Sequence, residues 1–324
     1  MKPLKQCFTL NFKLASIKSL SAITSKPLVA HILLFVVNLM YAINYILAKG
    51  LMPNIIMPNA FILLRVVGAT CLFWIVFAFN FERVHKKDWI RIMACALFGV
   101  AVNQLFFFNG LMRTSPLNSS IIMVATPIIV FVLSVFILKE NITARKVIGV
   151  LVGAVGAISL ILLSTNNVGT ATPLGDLFIF INATSYSIYL VLVKPLMTKY
   201  KPLTVVTWVF TFGLVYVLLW PPTTGELMTT NFENWLEIDI YKVLFVIVGV
   251  TFLPYLLTVT AMKVISPSIA STYIYIQPVL VTVFIFLLFY FGFIDYSSDF
   301  SKYKMLAAIL VFLGVYLVGR RNNK

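Results

Sequence analysis

Acidic residues are scarce in this chain: ten Asp and Glu stand against 25 Lys and Arg, with two His and three Cys among 324 residues. Each shortage removes a class of function. All ten acids, from Glu82 to Asp299, fall in or beside the breaks between apolar stretches. No stretch therefore holds the paired carboxylates that an intramembrane hydrolase or a carboxylate proton relay would use. Cys7, Cys71 and Cys95 are unpaired by spacing and form no C-x-x-C, so neither a disulfide framework nor a metal site follows, and no metal is expected. The phosphate-cradling G-x-x-x-x-G-K-[ST] is missing, so the chain does not itself energise work with ATP, and no cofactor is expected. H-E-x-x-H and G-x-S-x-G are missing too, which removes two common hydrolytic centres.

What is abundant is apolar surface. Hydrophobic residues make up 61% of the chain, charged residues 11%, and the mean hydropathy is +1.00. A soluble domain of this composition would expose too much apolar surface, so lipid must be the solvent. Ten apolar segments are read at 28–48, 58–79, 89–112, 117–138, 147–164, 174–193, 203–220, 241–262, 268–291 and 303–319. Each approaches the ~20 residues a helix needs to cross the hydrocarbon. Their runs of Leu, Ile, Val and Phe lack the alternation of a membrane barrel. The backbone must then satisfy its own hydrogen bonds, and an all-α integral membrane protein with ten transmembrane helices is expected.

The net charge of +15 invites a nucleic-acid reading that its distribution opposes. Nineteen Lys and Arg fall on the side of the N-terminus, five on the other side, and Arg65 within a segment. This asymmetry follows the positive-inside rule and puts both termini in the cytoplasm of a multi-pass protein of the cytoplasmic membrane. The basic residues orient the chain and sit near lipid headgroups; no nucleic-acid partner is expected.

The stretch TSPLNSSIIMVATPIIVFVLS at 114–134 recurs as ISPSIASTYIYIQPVLVTVFI at 265–285. Ser115-Pro116 falls on Ser266-Pro267, Ser120 on Ser271 and Pro127 on Pro278. NLMYAINYILAKGLM in the first segment likewise matches ATSYSIYLVLVKPLM in the sixth, with Tyr41 on Tyr186 and Lys49 on Lys194. Toward the ends, Lys146 and Gly156 match Lys304 and Gly314, which implies residues gained near 291–301. The chain divides into a basic cytoplasmic arm (1–27), a first repeat (28–164), a linker (165–172), a second repeat (173–319) and a cytoplasmic tail (320–324). Five helices per repeat is an odd number, so the second repeat is inverted relative to the first, the arrangement that alternating access exploits.

These residues carry a family resemblance over about 30–319. Tyr41-Ala-Ile-Asn44-Tyr45 followed by Lys49 resembles the W-G-x-N-F…K pattern of the drug/metabolite transporter superfamily, with Tyr in place of Trp. Arg65 in FILLRVVGA resembles the Arg of that superfamily's second helix. The run from Thr114 to Glu140, with Gly149 and Gly156, resembles its fourth and fifth helices. Where the family often has Glu after helix nine, this chain has Phe291 and FIDYSSDF. The resemblance is to permeases with two EamA-like repeats of five helices, and it implies a small-molecule carrier.

Polar groups inside the segments mark where such a carrier would hold its cargo. Asn38, Tyr41 and Tyr45 share one face of the first segment, and Asn182, Tyr186 and Tyr189 a similar face of the sixth. Asn103, Gln104, Tyr255, Tyr273 and Gln277 add amides and phenols from the third, eighth and ninth. For any one of these, hydrogen bonding between packed helices is the first reading. As a set they suit a cavity for a small amphipathic organic solute, and Tyr41, Asn44, Asn103, Gln104, Tyr186, Tyr189, Tyr255, Tyr273 and Gln277 are the candidate binding residues.

Four residues are assigned gating or structural roles. Arg65 is the one charge deep in a segment; a structural Arg that snorkels outward or binds helix-end carbonyls ranks ahead of an anchor for a substrate carboxylate or phosphate. Glu140 is read first as a loop ion pair with Lys139, Arg145 or Lys146, and His31 as an interfacial hydrogen-bonding group. Pro127 and Pro278 occupy matching places where a helix would kink. The favoured function is export or exchange of a small organic metabolite, an amino acid or amphipathic drug among the candidates. The alternatives are a membrane enzyme acting on lipid or isoprenoid and a non-transporting scaffold. Partners are the solute and membrane lipids; a monomer is expected, with a dimer as the alternative.

Overall fold

The computed structural model describes residues 27–79, 81–141, 143–162, 172–292 and 302–319, and these are helical without a strand. Helices coincide with all ten apolar segments. The first repeat holds α1 (Pro27–Leu51), α2 (Pro58–Ala78), α3 (Lys86–Arg113), α4 (Pro116–Leu138) and α5 (Ala144–Leu162). The second holds α6 (Pro173–Met197), α7 (Pro202–Leu218), α8 (Glu237–Ala261), α9 (Pro267–Tyr290) and α10 (Lys302–Gly319). Seven of the helices are long and apolar enough to cross a membrane, namely α1, α2, α3, α4, α6, α8 and α9. An eighth forms if α7 is joined to the short helix Pro221–Thr229, which leaves it at 77° and was not expected from the sequence. The basic arm, the linker, the tail and the insertion near 293–301 lie outside the described residues, save at their edges.

Proline sets many of the starts. Pro58, Pro116, Pro173, Pro202 and Pro267 occupy the first turns of α2, α4, α6, α7 and α9, where the missing N–H would have had no partner. Ser115 and Thr172 cap α4 and α6 by accepting from the Asn118 and Gly175 N–H groups. Inside the spans proline acts differently. In α4 the helix breaks at Met123 and Val124, and in α9 it tightens to a 3-10 turn over Tyr273–Ile276. Each irregularity lies just before Pro127 or Pro278, whose ring displaces the carbonyl four residues back and which offers it no N–H. The helix is thus irregular just before the matching proline in both halves.

A second paired irregularity was invisible in the sequence. α3 widens to a π turn over Leu97–Ala101 and α8 over Val246–Phe252. The looser turn diverts carbonyls from the helix ladder, and hydroxyls take them up: Ser185 donates to the Phe98 carbonyl at 2.6 Å, Tyr255 to the Gly99 carbonyl at 2.6 Å, and Thr251 to the Val246 carbonyl at 2.9 Å.

The two halves hold each other through their ends. Glu82, beyond the end of α2, accepts from the Lys201 N–H (2.9 Å) and the Thr204 hydroxyl (2.5 Å) at the start of α7. Glu226, beyond the end of α7, accepts from the Asn59 and Ala60 N–H groups (2.7 and 3.2 Å) and the Asn59 side-chain amide (2.5 Å) at the start of α2. Each carboxylate meets the positive end of the other repeat's helix dipole, so α2 and α7 run antiparallel. Lysines make a second matching pair. Lys49 donates to the Leu111 and Met112 carbonyls at the end of α3, and Lys194 to the Met262 and Ile265 carbonyls beyond α8. On the far side, α5 and α10 pack along a glycine seam: a Cβ on Gly314 would stand 2.5 Å from the Gly153 backbone, and one on Gly149 2.6 Å from Val318.

Candidate functional site

Between the two halves lies a partly open cavity, whose atom-free space is about 530 Å³ with the part open to solvent included. Its wall draws Tyr41, Asn44 and Tyr45 from α1, Arg65 from α2, and Asn103, Gln104, Phe107 and Phe108 from α3. Met123 at the α4 break, Asn182 and Tyr186 of α6, Tyr255 of α8, and Ile274 and Gln277 of α9 complete it. Seven of the nine candidate binding residues therefore line one void. Tyr189 and Tyr273 do not. Tyr189 lies about 60° around the helix from Tyr186, and its ring packs against the α-carbon of Gly99 behind the wall, where a Cβ would collide with it. Tyr273 turns toward the start of α1, where its hydroxyl and His31 Nδ1 are 2.7 Å apart.

Two residues assigned to polar faces but left out of the binding set, Tyr45 and Asn182, line the cavity. Tyr45 follows Tyr41 by four residues, about 40° around the helix, so periodicity could have included it. Phe107, Phe108, Met123 and Ile274 were missed altogether, since apolar residues in an apolar segment carry no signal of facing a void.

The polar groups divide by whether their hydrogen bonds are already made. Gln277 receives the Tyr45 hydroxyl on Oε1 (3.1 Å) and donates from Nε2 to Asn38 Oδ1 (2.7 Å), while Asn38 Nδ2 donates to the Leu34 carbonyl. That chain fastens α1 to α9, and there the interhelical reading holds. Tyr255 and the Asn103 carbonyl are similarly engaged across the halves, by Gly99 and by Asn182 Nδ2 at 2.7 Å. Other groups have no partner. Asn44 Oδ1, Asn182 Oδ1 and Arg65 Nη1 are buried without a hydrogen bond.

Arg65 neither snorkels nor binds helix-end carbonyls, the arrangement that ranked first from the sequence. It is 3% exposed, and its Nε donates to Thr251 Oγ1 (3.0 Å) in the π turn of α8. The guanidinium carbon stands 4.2 Å from the centroid of the Phe108 ring and 5.6 Å from that of Phe61. No carboxylate lines the cavity with it.

Toward the end of the molecule where α1 starts, a second, narrow void lies among Leu34, Val37, Asn38, Leu190, Thr258 and Ala270, its atom-free space about 260 Å³ with the part open to solvent included. Tyr41, Tyr186 and Ile274 border both voids. Tyr41 and Tyr186 thus stand where the two voids meet. Glu140 lines neither void: it pairs with Lys146 at 3.4 Å, as the ion-pair reading expects, and also accepts from the Ser268 hydroxyl at 2.5 Å, tying the end of α4 to α9. Among the described residues no cluster of His, Cys, Asp and Glu is placed to hold a metal ion.

Comparison with known proteins finds the EamA-like transporter family twice along the chain, at residues 28–162 and 173–320. An uncharacterized transporter of Archaeoglobus fulgidus is 27% identical over 158 residues, 49% of this chain and 55% of its own length, so that match spans about half of each protein. A second uncharacterized transporter of the same organism is 21% identical over 296 residues, 91% of this chain and 98% of its own. A crystal structure of a protein 19% identical superposes with a TM-score of 0.66 over 89% of this chain and 95% of its own, a likeness of fold.

Proposed function

Because the chain belongs to the EamA-like transporter family, we propose that it carries a small organic metabolite across the cytoplasmic membrane by alternating access, in export or exchange. The observation that supports this best is the cavity itself. It lies where the two repeats meet, and its wall mixes aromatic rings with a few unpaired polar atoms, the makeup of a site for an amphipathic solute. The Tyr41–Tyr186 pair gives such a carrier an inner barrier at repeat-equivalent positions, and tilting of one half against the other would part the two rings. Both termini are assigned to the cytoplasm by the 19-to-5 distribution of basic residues.

The test is transport by purified protein in liposomes against a panel of labelled amino acids, organic acids and aromatic amines. Protein-dependent movement of at least one solute, blocked when Tyr41 and Tyr186 are replaced by Cys and cross-linked, is the expected result. A panel with no protein-dependent flux, or flux indifferent to the cross-link, would refute it.

A further inference from the structure

We infer that Arg65 is an anion subsite and that the solute is an amphipathic monocarboxylate with a hydrogen-bond donor near its head; this rests on the carrier reading above. The wall of the cavity contains one cation and no anion. A guanidinium buried to 3% exposure is costly without a counter-charge, because the field that water would quench persists in a low-dielectric site. What the protein provides is incomplete: a neutral hydroxyl on Nε and the faces of two phenylalanines, which attract the charge without neutralising it.

The geometry leaves Nη1 of the fork free. Thr251 holds Nε, Phe108 covers one face of the plane, and Nη1 is buried without a partner. A carboxylate is the ligand whose two oxygens fit a guanidinium edge. Asn182 and Asn44 add acceptors. Asn182 donates from Nδ2 to the Asn103 carbonyl, which fixes its amide and leaves Oδ1 free to receive a hydroxyl or ammonium hydrogen, and Asn44 Oδ1 is likewise unpaired. Tyr45, Phe107 and Phe108 supply the surface for an aromatic or branched body. Amphipathic cations, by the same reasoning, are excluded by Arg65.

The test compares 3-phenyllactate, whose hydroxyl stands beside the carboxylate, with its neutral isostere 3-phenyllactamide, by calorimetric titration of purified protein in non-ionic detergent at neutral pH. The intact protein is expected to bind the carboxylate at least tenfold more tightly than the amide. Arg65→Gln should abolish that preference, and Arg65→Lys should restore part of it. Equal affinity for the two, binding of neither, or a preference that survives Arg65→Gln would overturn the subsite. If Arg65→Gln does not yield folded protein, the wild-type comparison decides alone. Liposome flux of neutral or cationic solutes without a preference for carboxylates would sink the subsite while sparing the carrier reading, whereas no flux of any solute would sink the carrier reading first.

Discussion

Replacing Glu226 with Ala removes a carboxylate that the second half lends to the first. Three donors lose their acceptor at once: the N–H groups of Asn59 and Ala60 and the side-chain amide of Asn59, which is 6% exposed and poorly placed to find water. Hydrogen bonds to a charged group contribute about 1.5–3 kcal/mol each in net terms. Two of the three share one oxygen, and the carboxylate is half-buried, so the whole is not their sum. Taking one strong bond plus about 0.3–1 kcal/mol for the lost charge at the helix terminus gives a destabilisation of roughly 2–4 kcal/mol. Glu226→Gln keeps the shape and one acceptor oxygen and should cost about half as much. Glu82→Ala, at the opposite end of the antiparallel pair, should cost a similar amount. With no shared partner, the double variant should lose the sum within about 0.5 kcal/mol. Thermal unfolding in detergent, followed by tryptophan fluorescence, reads all four proteins. An unchanged midpoint for Glu226→Ala, or a double variant no worse than either single one, would refute the cross-capping.

Further outcomes follow from other contacts. Gly314→Ala drives a methyl into the Gly153 backbone, which no rotamer can relieve, so a loss of about 1–3 kcal/mol and a lower yield of monodisperse protein are expected on size-exclusion chromatography. Gln277→Leu strands the Tyr45 hydroxyl and Asn38 Oδ1 in the protein interior and should destabilise by about 1–3 kcal/mol on the same thermal assay, whereas Tyr273→Phe, at the edge of the helix pair, should cost less. With the native cysteines removed, a membrane-impermeant thiol reagent added outside cells should modify a cysteine placed at 302 and spare one placed at 86; the reverse pattern would invert the orientation.

Helix positions were legible because hydrocarbon imposes a length and a composition together, and proline punctuates most starts. The 77° extension Pro221–Thr229 escaped because PPTTGELMT is short and polar, reading as loop. The π turns escaped for a different reason: a wider turn costs one hydrogen bond in a ladder and leaves no compositional trace, and it is maintained by Ser185, Tyr255 and Thr251, of which two lie far away in sequence from the carbonyls they serve. In the cavity, residue type and helical period brought Tyr41, Asn44, Tyr186 and Tyr255 together on paper, yet they cannot say whose hydrogen bonds are spent. Gln277 and Asn182 have similar side chains; one is consumed as a fastener and the other keeps a free oxygen. Arg65 was read as structural because no acidic residue in the segments could partner it, and that same shortage of acids is what leaves it facing a void.

The exchange of carboxylates between α2 and α7 also bears on ancestry. A repeat whose helix start is closed by a residue of its counterpart is not a self-sufficient folding unit; it is half of a mutual arrangement, completed only by a second copy lying head to tail with it. A gene encoding one such repeat would have needed its product inserted in both directions to obtain a finished particle. Fusing two copies so that they insert in opposite directions would make that supply automatic, since every chain would then deliver one copy of each orientation in equal number. The halves have also diverged: Arg65 of α2 has no charged counterpart anywhere in α7.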